Sequence, residues 1–216
     1  MKILDLYCGS GGASAGYHRA GFDVTGVDLY PQPEYPFPFV LGDAIEYVTA
    51  HGHEYDLIHA SPPCQARTRL ANISLHTYQD LIPATRAAVE RTGRPYVIES
   101  VTRWGLIIPV MLCGQTFGLR MYRHRWFETT FTYTDPPHSK HIARCARNSY
   151  MPTAEQPYMT ITGRNGHISQ RWVNKAAEYM DTPWITALNG ICEAIPPAYT
   201  EYIGRQFLTS SLVSAA

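Results

Sequence analysis

Cys64 stands directly after two prolines in SPPCQ, where the apolar run YDLIHA ends. Proline fixes φ, so the pair stiffens the backbone just ahead of the sulfur. Arg67 and Arg69 follow closely. Cationic neighbours favour the thiolate, the nucleophilic form of cysteine, and they are equally suited to holding a phosphate. Glu99 sits in a second apolar run, YVIES. It is either a secluded carboxylic acid able to assist a reacting ring or a buried partner for an arginine. A third group lies near the start, where KILDLY runs into CGSGG and Asp28 and Asp43 follow. Small residues let a ligand approach the backbone, but the spacing is not GxGxxG, so the reading as a pyrophosphate nest is weak. A methionine-derived sulfonium cofactor carries no phosphate. It needs a carboxylate for its ribose hydroxyls, which Asp28 can supply, and a polar group for its adenine amine, which Asp43 can supply. The alternative is that Gly9, Gly11 and Gly12 only tighten a turn and the acids are solvated strand ends.

One reaction uses all of these groups. Carbon 5 of cytosine is a poor nucleophile, so its ring must be activated before it can accept a methyl group. Addition of a thiolate at carbon 6 creates an enamine, and a carboxylic acid at ring nitrogen 3 eases that addition. Cys8, Cys113 and Cys192 are read as small buried hydrophobes instead. His138, His141 and Cys145 have metal-ligand spacing that Cys113 could join, but no fourth ligand is evident locally, so HSKHIARCAR is read as a basic, partner-facing segment without a metal.

The elements that must position these residues follow from the alternation of short apolar runs with helical ones. Residues 2–7 predict a strand, ASAGYHRAGF a helix, DVTGVD a second strand, and LYPQPEYPFPF an ordered loop closed to helix by its four prolines. VLGDAIEYVTAHG predicts a strand edge and short helix, YDLIHA a strand, residues 78–92 a helix and PYVIESV a strand. Such alternation is the pattern of an α/β doubly wound, mostly parallel sheet. Ligands of such sheets bind beyond the carboxyl ends of the strands, where Asp5, Asp28, Asp43, Cys64 and Glu99 all fall. Residues 129–170 have little periodicity, and residues 171–182 and 196–210 read as helices. The expected division is a core over 1–128, a small target-recognition region over 129–175 and helices over 176–216 that complete the core.

With 216 residues, 45% hydrophobic and 17% charged, the chain has the composition of one soluble globular domain. No 18-residue apolar stretch and no signal-peptide pattern are seen, and five cysteines without framework spacing suit a reducing compartment, so a cytoplasmic location is expected. Net charge is zero, but its distribution is uneven: residues 1–60 carry two basic and eight acidic side chains, residues 61–128 nine and four, and residues 129–175 six and two. An acidic opening with a basic middle fits a protein that meets a polyanion on one face.

DLYCGSGG, SPPCQ, VIESV, RHRWFE and AIPPAYTEYIG together resemble the DNA cytosine-5 methyltransferase family, particularly its small bacteriophage and prophage members. The likeness runs from residue 3 to residue 204. It implies a catalytic core that binds S-adenosyl-L-methionine and releases S-adenosyl-L-homocysteine. Leu6, Tyr7, Gly9, Gly11 and Gly12 would line the methionine side, Asp28 with Leu29 the ribose, and Asp43 with Ala44 the adenine. Pro62 would touch the cofactor, and Ala198 and Tyr199 would close its pocket. Cys64 matches the nucleophile and Glu99 the acid at ring nitrogen 3. Arg125 matches the arginine at the base carbonyl oxygen, and Arg123 its structural companion. Pro63, Gln65, Arg67 and Arg69 would meet the flipped base, while Lys140, Arg144, Arg147, Arg164 and Asn165 would meet double-stranded DNA. The family usually has asparagine where this chain has Ser100, and a serine hydroxyl cannot span the same bonds. RNA as substrate, and a silent binding protein, are the competing readings. A monomer is expected, and the short recognition region leaves room for a partner that supplies specificity.

Overall fold

The computed structural model describes residues 1–63, 80–162 and 168–214, with side chains to residue 211. Strand β1 (Lys2–Leu6) is buried after its first residue. The chain then turns through CGSGG into α1 (Gly12–Ala20), which ends at Gly21 in the left-handed region that glycine tolerates. Strands β2 (Asp23–Asp28) and β3 (Phe39–Leu41) flank the proline-rich loop, and α2 (Ala44–His51) follows. Strand β4 (Leu57–Ala60) is wholly buried, as is β5 (Tyr96–Ser100) beyond α3 (Ile82–Arg91).

These five strands are parallel, and the whole sheet has seven strands in the order β3-β2-β1-β4-β5-β7-β6. Strand order reverses between β1 and β4, which places the expected ligand crevice beyond the ends of those two strands. The last two strands escape the sequence pattern. Strands β6 (Val110–Leu112) and β7 (Arg125–Thr129) are antiparallel to each other, and β7 also runs antiparallel to β5.

Side chains alternate across a sheet, so each strand feeds two cores. Ile3, Leu57, Val97 and Phe127 pack under α1 and the C-terminal helix α6 (Pro197–Ser214) with Tyr17, Tyr199, Ile203 and Phe207. Leu4, Leu6, Ile58, Ala60, Tyr96 and Ile98 pack under α2 and α3 on the other face. By the same alternation Asp5, His59 and Glu99, all buried, lie on the α1–α6 face. Residues 129–170 contain a two-stranded parallel pair, β8 (Cys145–Ala146) and β9 (Tyr158–Met159). Met159 and Ile161 continue into a third core with Met121 and residues of α4 (Gln170–Met180) and α5 (Leu188–Glu193). No described helix is long and apolar enough to cross a membrane.

Candidate active site

The glycine turn is held tightly from several sides. Gly9 donates its amide to Asp28 Oδ2 at 3.0 Å, and Tyr30 donates to Asp28 Oδ1 at 3.0 Å, so one carboxylate joins the ends of β1 and β2. Trp184 Nε1 donates to the Ser10 carbonyl at 2.9 Å. Tyr7 holds φ 58, rarely adopted by a bulky residue, and its hydroxyl lies 2.9 Å from Thr85 Oγ1 on α3.

The glycines are not equivalent. A Cβ on Gly12 would come within 2.4 Å of the Ile195 carbonyl oxygen, and one on Gly11, at φ 82, would meet Tyr35 and Pro36 at 2.9 Å. Their bare faces are filled by the protein itself. Gly9 has nothing within 4 Å of that position, so of the three only its bare side is open to a ligand. This narrows the expected glycine platform to one residue.

Beneath the turn, Asp5 accepts a hydrogen bond from Ser14 Oγ through Oδ2, while its Oδ1 is buried without a partner. Burial, reinforced by nearby Asp28, raises its carboxyl to about 7 against the pull of Ser14. Asp43 is the N-cap of α2, its Oδ1 accepting from Ile45 N at 2.8 Å and Glu46 N at 2.9 Å. Both cap bonds fall on one oxygen. Leu29 is exposed, whereas the Leu6 and Ala44 side chains belong to the α2–α3 core.

At the end of β5, Glu99 is 6% exposed. Arg125 Nε on β7 lies 3.0 Å from its Oε1, close enough for an ion pair but without the alignment of a hydrogen bond. Burial pushes the Glu99 carboxyl above its ordinary value, with Arg125 and Arg123 pulling the other way. Ser100 is buried beside it, and its hydroxyl accepts from Thr102 N at 3.3 Å, holding the turn out of the strand.

Arg123 has a different task. Its guanidinium donates to the Ile161 carbonyl at 2.5 Å, to Cys192 at 2.7 Å, and to Ala194 at 2.7 and 3.0 Å. It thereby binds the entry of β7 to the ends of β9 and α5. Tyr199, expected at the cofactor, is instead fully buried, and its hydroxyl donates toward the carbonyls of Arg123 at 2.9 Å and Tyr122 at 3.2 Å. That is a correction: with no exposed surface it cannot line an accessible pocket. Neighbouring Ala198 is half-buried.

Pro62 is buried and Pro63 exposed at the last described positions of that turn. Cys64, Gln65, Arg67, Arg69, Arg164 and Asn165 lie outside the described residues. Lys140, Arg144 and Arg147 are all exposed on the irregular segment and near β8, where they can meet a polyanion.

That segment also brings its histidines to groups that lie far from them in the sequence. Cys113, His124, His138 and His141 bring one ligand atom each to within 4.8 Å of one another, and Cys145 is not among them. Cys113, which the sequence left as either packing or a ligand joining from across the fold, and His124, unnoticed inside RHRWFE, lie beside the two histidines.

No family model matches the chain, and no curated protein matches its sequence. Solved structures match its fold along the whole length. A prophage-encoded E. coli protein named as a DNA modification methyltransferase has a TM-score of 0.67 at 14% identity, covering 97% of this chain and 99% of its own. The S. pombe Dnmt2 methyltransferase gives 0.65 at 13% identity, with 98% and 99% covered. The Entamoeba histolytica methyltransferase EhMeth gives 0.62 at 9%, with 98% of each chain covered. The chain therefore has the fold of these methyltransferases.

Proposed function

We propose that this chain is a DNA cytosine-5 methyltransferase that uses S-adenosyl-L-methionine. The observation that carries the reading is Glu99: a buried carboxyl raised toward its acid form, paired with Arg125, at the carboxyl end of a strand in a methyltransferase fold. RNA cytosine methylation is the second reading, and the comparison of polymers below separates the two.

The residues at the end of β1 fit the cofactor. Acidic side chains crowd the site, which suits a sulfonium cation and disfavours a pyrophosphate. Asp28 would take the ribose hydroxyls, Gly9 would leave room beside the turn, and Asp43 would face the adenine with the oxygen its cap leaves over. When bound, S-adenosyl-L-methionine supplies an electrophilic methyl group and is left as S-adenosyl-L-homocysteine.

The target base must first leave the duplex. Cys64 then adds as thiolate to carbon 6, forming a carbon–sulfur bond and moving the ring electrons toward carbon 5 and nitrogen 3. Glu99, which burial shifts toward its acid form, donates to nitrogen 3 and stabilises that charge. Arg125 holds the carbonyl oxygen of the base and keeps Glu99 in place. After methylation, the carbon-5 proton passes to water, the electrons of that bond expel the Cys64 sulfur as thiolate, and the proton at nitrogen 3 returns to Glu99, which restores the aromatic ring. Lys140, Arg144 and Arg147, within the small recognition region over 129–175, would contact the phosphates of double-stranded DNA.

The test is nucleoside mass spectrometry after incubating purified protein with S-adenosyl-L-methionine and unmethylated duplex DNA, with a matched RNA sample alongside. Cys64→Ser and Glu99→Gln proteins serve as controls. 5-Methyldeoxycytidine formed by the wild type and lost in Cys64→Ser is the expected outcome. Product in RNA alone would favour the second reading, and product in neither would overturn the proposal.

A further inference from the structure

The group formed by Cys113, His124, His138 and His141 plays no part in the methyl transfer above. Its atoms nonetheless converge. His124 Nε2 lies 3.2 Å from His138 Nε2 and 3.2 Å from His141 Nε2, and Cys113 Sγ lies 3.8 Å from His141 Nε2. Zinc bonds of about 2.0–2.1 Å to nitrogen and about 2.3 Å to sulfur imply tetrahedron edges of roughly 3.3 Å between nitrogens and roughly 3.6 Å from sulfur to nitrogen. The three close approaches fall near those edges.

Hydrogen bonding alone accounts poorly for this arrangement. A neutral imidazole nitrogen is a donor or an acceptor, and one N–H serves one close partner at a time. With the same nitrogen of three rings facing inward, a central cation is what lets every lone pair point at an attraction. The surroundings hold the rings for that task. Tyr122 stacks on His141 with ring centroids 3.5 Å apart and planes 7° from parallel. Gln115 accepts from Ile142 N at 3.0 Å and donates to the Lys140 carbonyl at 3.1 Å, gripping the chain on both sides of His141.

We propose that Cys113, His124, His138 and His141 bind one zinc ion in a closed tetrahedral site that pins residues 138–144 to the β6–β7 edge of the sheet. One thiolate and three imidazoles make a borderline donor set suited to zinc, and four protein ligands leave no position for a substrate, so the ion is structural. Residues 138–144 have neither helix nor strand. The ion would give them a fixed place and would join Lys140 and Arg144 to the strand entry that carries Arg123 and Arg125.

The experiment uses untagged full-length protein, stripped with a chelator and reconstituted with zinc chloride or cobalt chloride. One zinc per chain should survive gel filtration. The cobalt form should show the intense visible bands of a tetrahedral ion and a sulfur-to-cobalt charge-transfer band in the near ultraviolet. Cys113→Ser should lose the charge-transfer band, and His138→Gln, at an exposed residue, should weaken zinc binding by roughly tenfold or more, since even the loss of an outer-shell partner costs that much. Far-ultraviolet circular dichroism establishes that each variant is folded. Failure to retain stoichiometric zinc, or retention unchanged in both folded variants, would overturn the proposal.

Discussion

Replacing Arg86 with leucine should cost far more than loss of an ordinary surface ion pair. Glu128 on β7 is 2% exposed and receives four hydrogen bonds. Arg86 supplies two, from Nε at 2.8 Å and Nη2 at 2.6 Å, and Tyr96 Oη and Ile107 N supply the others at 3.2 and 2.7 Å. Arg86→Leu leaves the carboxylate buried with a hydroxyl and an amide, neither of which cancels its charge. Breaking such a pair from one side costs about 3–5 kcal/mol. Removing both ends with Arg86→Leu/Glu128→Leu should cost clearly less than the two single changes added, because no charge remains stranded, with a coupling of at least about 2 kcal/mol. Urea unfolding followed by tryptophan fluorescence measures all four proteins, and an unchanged denaturant slope shows that the midpoint reports stability. A cost below about 1 kcal/mol for Arg86→Leu, as at a surface pair, would refute the reasoning, as would simple additivity. The pair joins α3 to β7, so its loss would also disturb the strand that presents Arg125 to Glu99.

Three further changes test other contacts. Gly16→Ala would normally favour a helix by about 1 kcal/mol, yet here its Cβ would come within 2.0 Å of Thr200 Oγ1 and 2.1 Å of the Pro197 carbonyl oxygen. We expect destabilisation by about 1–3 kcal/mol or more, and a raised melting temperature would contradict the close packing of α1 on α6. Asp5 has a folded value of about 7 against 3.8 in solvent, so its contribution is fully present below about pH 4 and is lost as pH rises through about 7. The difference in stability between wild type and Asp5→Asn should therefore move by up to roughly 4 kcal/mol in favour of the variant between pH 4 and pH 8; parallel stability curves would exclude a raised carboxyl. Tyr199→Phe removes the hydroxyl shared by the Tyr122 and Arg123 carbonyls and should cost about 1–3 kcal/mol in the same urea assay. A neutral or stabilising result would show that those carbonyls do not depend on it.

The five parallel strands were legible because each is a short apolar run bounded by glycine, proline or a helical stretch, and α6 was legible from the shared face of Tyr199, Tyr202, Ile203 and Phe207. Strand β7 was not, since RWFET carries Arg125 and Glu128, charges whose ion-pair partners, Glu99 and Arg86, lie on elements distant in sequence. The glycines show the same division. A turn at CGSGG could be read locally, but the need for glycine at 12 and 16 comes from Ile195, Pro197 and Thr200 at the far end of the chain. The pairing of Glu99 with an arginine was legible as an alternative, while the buried setting of Tyr199 depended on tertiary packing with Phe117 and Phe127. His124 could be linked to HSKH only by a fold that returns residues 138–141 to the start of β7.

The packing of α6 against α1 has a consequence for the order in which the protein can be made. The helix that covers β1 and α1, and that presses Gly204 against Tyr17, Ala20 and Phe22, is synthesised long after both. During translation β1 therefore emerges with one flank exposed and keeps it exposed until α6 has followed. Contacts of such long sequence separation form slowly, and the waiting surface is apolar. A nascent chain halted before α6 should be a client for chaperones, and protease resistance of this fold should rise once α6 has emerged.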